Sequence, residues 1–192
     1  MDDHNQIGTE LFNKGDLEGA IAEYRTDLRL NPNHVCAHFN LGTALQEKGD
    51  LKGAIAEYRT ALRLNPDYAK AHYNLGTALS KKDDYEEAIA EYRLALRLSP
   101  NHVDAHYNLG VELQKKGDFE GAINEYRAAL RINPNEADAR YNLAVALRLK
   151  GELVTARKEF KKALKLIPRT TENQAHIKSI KSVLSELSGA MD

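Results

Sequence analysis

The chain has 192 residues, of which 42% are apolar and 29% charged, a composition typical of a soluble folded protein. Its net charge of -1 gives no general attraction to nucleic acid or to anionic lipid. The single cysteine, Cys36, excludes an intrachain disulfide. No apolar run approaches the roughly 18–20 residues of a membrane-spanning helix, and the polar start Met1–Asn5 predicts no signal peptide. The sequence indicates no compartment, and the cytoplasm is the default.

The chain repeats itself at a constant interval of 34 residues. Its five prolines mark this period: Pro32, Pro66, Pro100, Pro134 and Pro168. A fixed period of this size predicts a stacked array, in which each repeat buries its apolar face on its neighbour. We therefore divide the chain into five repeats, followed by a capping helix and tail. The bounds are 1–34, 35–68, 69–102, 103–136, 137–170 and 171–192.

Each repeat reads as two helices joined by a short turn, as residues 35–68 show. Apolar and small residues recur at helical spacing over Val35–Lys48 and again over Leu51–Leu64. Gly49 suits the left-handed residue after the first helix, and Asp50 suits the N-cap of the second. Pro66 then ends the second helix, because proline cannot continue it.

Two further features recur with the same period. N-cap aspartates are predicted at Asp16, Asp50, Asp84 and Asp118, with Glu152 a weaker cap in the last repeat. Asp84 and Glu87 have the spacing of a capping box. Small residues predict a close approach of the two helices in the middle repeats, where Gly42, Gly76 and Gly110 face Ala54, Ala88 and Ala122.

These positions resemble the tetratricopeptide repeat (TPR) pattern, W-x2-L-G-x2-Y, then A-x3-F, then P. In the second repeat the matching residues are His38, Leu41, Gly42, Leu45, Ala54, Tyr58 and Pro66. The resemblance covers residues 1–170 as a near-consensus five-repeat array. It implies an all-α fold, a right-handed superhelical solenoid of antiparallel helix pairs with a C-terminal capping helix. The recurring histidine is expected to fill the tryptophan position, and no metal or other cofactor is implied.

The two ends depart from the repeat pattern. Asp27 stands where later repeats have alanine, and Arg157 stands where earlier repeats have isoleucine. The stripe of apolar residues over 171–188 predicts a helix that covers the C-terminal edge: Ile180, Val183, Leu184 and Leu187. No such cap precedes the first repeat, which indicates a longer natural protein or self-association through the N-terminal edge.

Arrays that resemble this family bind partners on the concave face, which the first helix of each pair lines. The residues expected on that face are Phe39, Asn40, Thr43, Tyr73, Asn74, Thr77, Tyr107, Asn108, Gln114, Tyr141, Asn142 and Arg148. The asparagine ladder could hold the backbone of an extended peptide, or its amides could bond locally. The aromatic rings could contact the partner, or pack between adjacent repeats.

The sequence therefore favours a non-catalytic interaction scaffold that binds a protein or peptide, since it has no phosphate-binding loop, zinc-protease motif or nucleophile elbow. We expect no nucleic-acid and no membrane partner. One alternative is a structural array that stacks end to end, consistent with an acidic excess over residues 1–136 and a basic excess over 137–192. Another is an engineered consensus-like scaffold.

Overall fold

The computed structural model describes residues 3–189, which form eleven α-helices and no strand. The chain divides into two compact units, Met1–Pro100 and Asn101–Asp192. The first unit contains α1 (His4–Asn13), α2 (Leu17–Leu30), α3 (Val35–Lys48), α4 (Leu51–Leu64), α5 (Ala69–Lys81) and α6 (Tyr85–Leu98). The second contains α7 (Val103–Lys115), α8 (Phe119–Ile132), α9 (Ala137–Leu149), α10 (Leu153–Leu166) and α11 (Gln174–Gly189).

The helix bounds predicted for the second repeat are confirmed, since α3 and α4 begin and end where the sequence pattern places them. Gly49 has a φ of 90°, the left-handed conformation expected of the residue that ends α3. In the third repeat Asp83 takes this place with a φ of 64°, which costs more for a residue with a Cβ atom.

Three of the four predicted aspartate N-caps are confirmed. Asp50 Oδ1 accepts a hydrogen bond from the backbone N–H of Gly53 at 2.9 Å, and Asp16 and Asp118 bond in the same way. A Cβ atom on Gly53 would lie 2.5 Å from Asp50 Oδ2, so at this cap the glycine allows the carboxylate to approach the backbone closely.

The predicted capping box at Asp84 and Glu87 is wrong. Asp84 makes no side-chain cap hydrogen bond and instead accepts one from Lys82 Nζ at 3.2 Å. Glu87 supplies a Cβ atom at the position where the other caps have glycine, and its carboxylate bonds Arg59 at 2.5 Å. The carboxylates of Asp84 and Glu87 are therefore engaged in ion pairs in place of the reciprocal bonds of a capping box. Glu152, the predicted weaker cap, makes no side-chain cap bond either.

The core of every helix pair contains one fully buried aromatic ring from its second helix: Tyr24, Tyr58, Tyr92, Tyr126 or Phe160. The predicted close approach at the glycines is confirmed. A Cβ atom on Gly42 would lie 2.8 Å from Cδ1 of Tyr58 and 3.3 Å from the Ala54 carbonyl oxygen. The ring of Tyr58, more than the alanine, is therefore the surface on which α3 packs.

The predicted capping helix is confirmed as α11, which packs against α10. Ile180 is 0% exposed and Leu187 is 6% exposed, so the predicted stripe faces the core of the second unit. The helix begins at Gln174, and residues 190–192 of the predicted tail lie outside the described part of the chain. Within residues 3–189, no helix has the length and apolar character needed to cross a membrane.

Candidate functional site

The first helices of successive pairs lie side by side in each unit. α3 contacts both α1 and α5 in the first unit, and α7 contacts α9 in the second. Among the described residues of either unit, no second helix comes within 8 Å of another second helix, measured between Cα atoms. The first helices are therefore closer together than the second helices, and they line what we call the inner face of each unit.

All twelve residues predicted to bind a partner are partly exposed, and each lies on one of these first helices. The inner face of the first unit carries Phe39, Asn40, Thr43, Tyr73, Asn74 and Thr77. That of the second unit carries Tyr107, Asn108, Gln114, Tyr141, Asn142 and Arg148. Each of these side chains therefore exposes part of its surface to a ligand, while the remaining part packs within the fold.

The aromatic rings of the inner face pack on the buried ring of their own helix pair. The ring centroids of Phe39 and Tyr58 lie 5.9 Å apart, and those of Tyr141 and Phe160 lie 5.7 Å apart. Tyr73 and Tyr107 pack in the same way, at 6.0 and 6.1 Å from their partners. The rings are thus fixed in position by the pair's own core, and each residue stays partly exposed.

Two of these rings have a second aromatic neighbour. Phe39 lies 4.9 Å from Tyr68, so this ring also contacts the N-cap residue of α5. Tyr141 meets the imidazole of His176 edge-on at 4.6 Å, so α11 covers part of the inner face at α9. The accessible aromatic surface is therefore smaller at Tyr141 than the repeat pattern alone indicates.

Asn40, Asn74 and Asn142 donate hydrogen bonds to neighbouring helices. Asn40 donates to Asn5 Oδ1 at 3.0 Å, and Asn142 donates to the Tyr107 hydroxyl at 3.0 Å. Asn74 donates to the Tyr58 hydroxyl at 3.5 Å, the longest of the three contacts. In each bond the amide nitrogen is the donor, and an amide has a second N–H and a carbonyl oxygen besides.

The threonines of the inner face are also tied into the fold. Thr43 Oγ1 donates to the Phe39 carbonyl oxygen at 3.0 Å and accepts from the Tyr58 hydroxyl at 3.3 Å. Burial raises the pKa of Tyr58, and the hydrogen bonds with Thr43 and Asn74 only partly oppose this. The phenol stays neutral at physiological pH and acts as a hydrogen-bond donor.

The histidines take the tryptophan position of the family pattern, as predicted, but they fill it with polar contacts. His72 bonds Glu91 Oε2 at 2.6 Å through Nδ1 and the carbonyl oxygen of the preceding proline at 2.8 Å through Nε2. His38 makes the same two contacts. Arg140 reproduces them in the fifth repeat, with Glu159 at 2.9 Å and the Pro134 carbonyl at 2.6 Å. Residues 3–189 contain no group of three or more His, Cys, Asp or Glu arranged to hold a metal ion.

The repeat pattern does not predict the burial of Glu112 on α7, a carboxylate that is only 2% exposed. Its Oε1 atom lies 3.0 Å from Lys115 Nζ. The equivalent positions hold Ala44, Ala78 and Ala146, each 0% exposed. Comparing the repeats at that one position would have revealed this departure.

The family model of the tetratricopeptide repeat matches residues 5–69, 40–103 and 107–169. The crystal structure of MamA superposes with a TM-score of 0.80 at 32% identity, covering 86% of this chain and 95% of that one. YrrB, a TPR protein with an unusual peptide-binding site, gives 0.80 at 26% identity over 92% and 90% of the two chains. PilF of Pseudomonas aeruginosa, at 23% identity and a TM-score of 0.76, shares the fold over 96% of this chain and 86% of its own.

None of the curated proteins matches this sequence. The matches to the family model nevertheless cover most of the chain, and the helix pairs carry the glycine, alanine and proline of the family pattern in phase. The chain therefore belongs to the tetratricopeptide repeat family.

Proposed function

We propose that this protein is a non-catalytic interaction scaffold, and that its inner faces bind an extended segment of a partner protein. The observation that carries the proposal is the repeated pairing of an immobilised, partly exposed aromatic ring with an amide on the same helix. Phe39 with Asn40 and Tyr73 with Asn74 form two such pairs on α3 and α5. The peptide-binding site of YrrB, whose fold is similar, supports this choice of ligand.

The chemistry of these pairs suits a peptide backbone better than a particular side chain. A ring edge offers apolar contact area with little loss of conformational entropy, because the buried tyrosine behind it already fixes its position. An amide offers both a donor and an acceptor, the two groups that an extended peptide presents. In the second unit Arg148 adds a positive charge on the inner face, which favours a partner with an acidic residue.

The test is binding of the purified chain to an arrayed peptide library, compared between two variants. Asn74→Ala removes one amide of the inner face, and the 3.5 Å contact that it loses within the fold is too long to contribute much stability. Arg63→Gln is the matched control, because this arginine is exposed at the end of α4 on a second helix.

We expect the Asn74 variant to lose at least tenfold in affinity for the peptides that the wild-type chain selects, with an unchanged circular dichroism spectrum. The Arg63 variant should bind them as the wild type does. Binding that is insensitive to Asn74→Ala, or equally weakened by both substitutions, would contradict the proposal. Retention of single-stranded RNA at physiological salt would contradict its choice of partner class.

A second candidate function is self-association through the N-terminal edge, and one observation favours it. Ile7 on α1 is 37% exposed, although its counterparts Leu41, Leu75, Leu109 and Leu143 are all at most 4% exposed. A second copy could cover this edge, as the preceding helix pair of the same unit does at α3, α5 and α9. Sedimentation over a range of concentrations tests it: a monomer at every concentration would remove this candidate, and Ile7→Ser should abolish any association that is seen.

A further inference from the structure

We propose a second binding site, unrelated to the inner face, in which three arginines bind a phosphate monoester. The site is a cavity of about 590 Å³ where α9 packs on α8. It is lined by Asn124, Arg127, Leu130, Arg131 and Arg140. None of the twelve inner-face residues lines it.

The positions of these residues explain how the cavity forms. Asn124, Arg127 and Arg131 have the i, i+3, i+7 spacing of one face of α8, so their side chains share one side of the helix. Arg140 comes from α9 and is anchored by Glu159 and by the Pro134 carbonyl. The result is a concave surface with two exposed guanidinium groups on one helix and a fixed one on the next.

The first unit contains an equivalent cavity that serves as an internal comparison. It measures about 640 Å³ and its lining includes Arg25, Arg29, His38 and Glu57. There a carboxylate lines the wall and Arg29 donates to Thr26 at 2.8 Å. In the second unit Glu159, the counterpart of Glu57, is bound to Arg140 and does not line the wall, an arginine replaces the histidine, and Asn124 replaces an alanine.

The charges around the arginines leave an excess of positive charge. Glu159 neutralises Arg140 but is also shared with Lys162, whose Nζ lies 2.7 Å from Glu159 Oε1. Glu152 attracts Arg127 at a distance, but the Glu152 carboxylate is bonded to Lys150 Nζ at 2.9 Å. This hydrogen bond lowers the pKa of Glu152. Arg127 and Arg131 are like charges four residues apart on α8, a spacing at which they repel each other, although Arg131 in the last turn is favoured by the helix dipole.

A phosphate monoester fits this chemistry. Guanidinium groups bind phosphate oxygens with paired, charge-assisted hydrogen bonds, and a dianion relieves the repulsion between neighbouring arginines. The cavity is open to solvent and has more room than an inorganic ion needs. The Leu130 side chain and the Asn124 amide can contact the organic part of the ester. The phosphoryl group could belong to a free small molecule or to a phosphorylated protein side chain.

The experiment is calorimetric titration of the full chain with three probes: inorganic phosphate, phenyl phosphate and the tripeptide glycyl-phosphotyrosyl-glycine. The titrations are made at 0.15 M salt, because low salt exaggerates attraction between exposed charges. We expect phenyl phosphate to bind more tightly than inorganic phosphate. The tripeptide identifies the source: tenfold tighter binding than phenyl phosphate assigns the site to a phosphorylated protein, and equal or weaker binding assigns it to a small ester.

Three variants test the residues. Arg127→Gln with Arg131→Gln should weaken phenyl phosphate binding at least tenfold. Arg140→His should weaken it severalfold while keeping the fold, since histidine makes the same two structural contacts in other repeats. Lys158→Gln with Lys178→Gln removes equal charge from exposed positions of the same unit and should change the affinity less than twofold.

Three results would overturn the proposal: no binding of phenyl phosphate at millimolar concentration, equal weakening by the lysine and arginine double variants, or inorganic phosphate binding as tightly as the ester. Circular dichroism of each variant shows that a loss of affinity is not a loss of fold. Because none of these residues lies on the inner face, the result is independent of the peptide-binding test.

Discussion

Replacing Gly42 with alanine tests the packing between the two helices of a pair. The new Cβ atom would lie 2.8 Å from both Cδ1 and Cε1 of Tyr58, whereas carbon atoms in contact prefer about 3.5–4.0 Å. Tyr58 is 0% exposed and the Ala54 carbonyl oxygen lies 3.3 Å away on the same side, so the ring has little room to yield.

The magnitude follows from two opposing effects. Overpacking of this kind costs about 1–3 kcal/mol, while alanine in place of glycine within a helix gains about 0.8–1.0 kcal/mol. The net expectation is a loss of about 1 kcal/mol. Gly42→Val should lose more, because it adds two further methyl groups and gains less helix propensity.

The assay is urea-induced unfolding followed by far-ultraviolet circular dichroism, with Ala144→Gly as the control. Ala144 occupies the equivalent position in the fifth repeat, where Phe160 replaces the tyrosine. The methyl group of Ala144 is fully buried. The control should also be destabilising, by about 1 kcal/mol, because it loses helix propensity. If helix propensity alone governed these sites, Gly42→Ala would stabilise the protein by about 1 kcal/mol, and that result would refute the argument.

Three further perturbations follow from the contacts described. Asp50→Ala should cost about 1 kcal/mol through the lost N-cap bond, whereas Asp84→Ala should cost much less; equal losses in the two unfolding curves would contradict the cap assignment. Burial raises the folded-state pKa of Tyr58 and Tyr126, so between the unfolded and folded pKa values only the unfolded phenols ionise. The contribution of these two tyrosines to the free energy of unfolding should be constant below about pH 10. Above that pH it should fall by about 1.4 kcal/mol per pH unit for each tyrosine. Unfolding curves from pH 9 to 11 measure this, and Tyr58→Phe should reduce the slope. His72→Ala should cost about 2–4 kcal/mol, because it leaves a carboxylate and a carbonyl without their bonds; a loss below 0.5 kcal/mol would show that these bonds contribute little.

The fold could be predicted from the sequence because its signals are local and repeated. The bounds of α3 and α4 follow from helical periodicity and from the residues at their ends, Gly49, Asp50 and Pro66. The capping box predicted at Asp84 does not form, and the spacing of the two residues in the sequence could not show this. Whether an aspartate caps a helix depends on the partners that compete for its carboxylate, and here Asp84 binds Lys82 while Glu87 binds Arg59.

The inner face could be placed on the first helices, but the bonds of its side chains could not be derived. Asn142 and the Tyr107 hydroxyl, which it bonds, lie on different helices 35 residues apart in sequence. Their contact depends on how far α9 is rotated and shifted against α7, which periodicity leaves undetermined. The cavity lined by Arg127, Arg131 and Arg140 was missed for the same reason, since it exists only once α8 and α9 are packed together.

Departures between equivalent positions are more informative about function than the repeat itself. In an array each repeat depends mainly on its neighbours, so residues at equivalent positions meet similar structural demands. Arg140 keeps both structural contacts that His72 makes, which means that the fold does not require arginine at that position. What arginine adds is a permanent positive charge at the wall of the cavity. A change that leaves the structural contacts intact and alters only the chemistry of a cavity points to a ligand, and this is why we place the second binding site there.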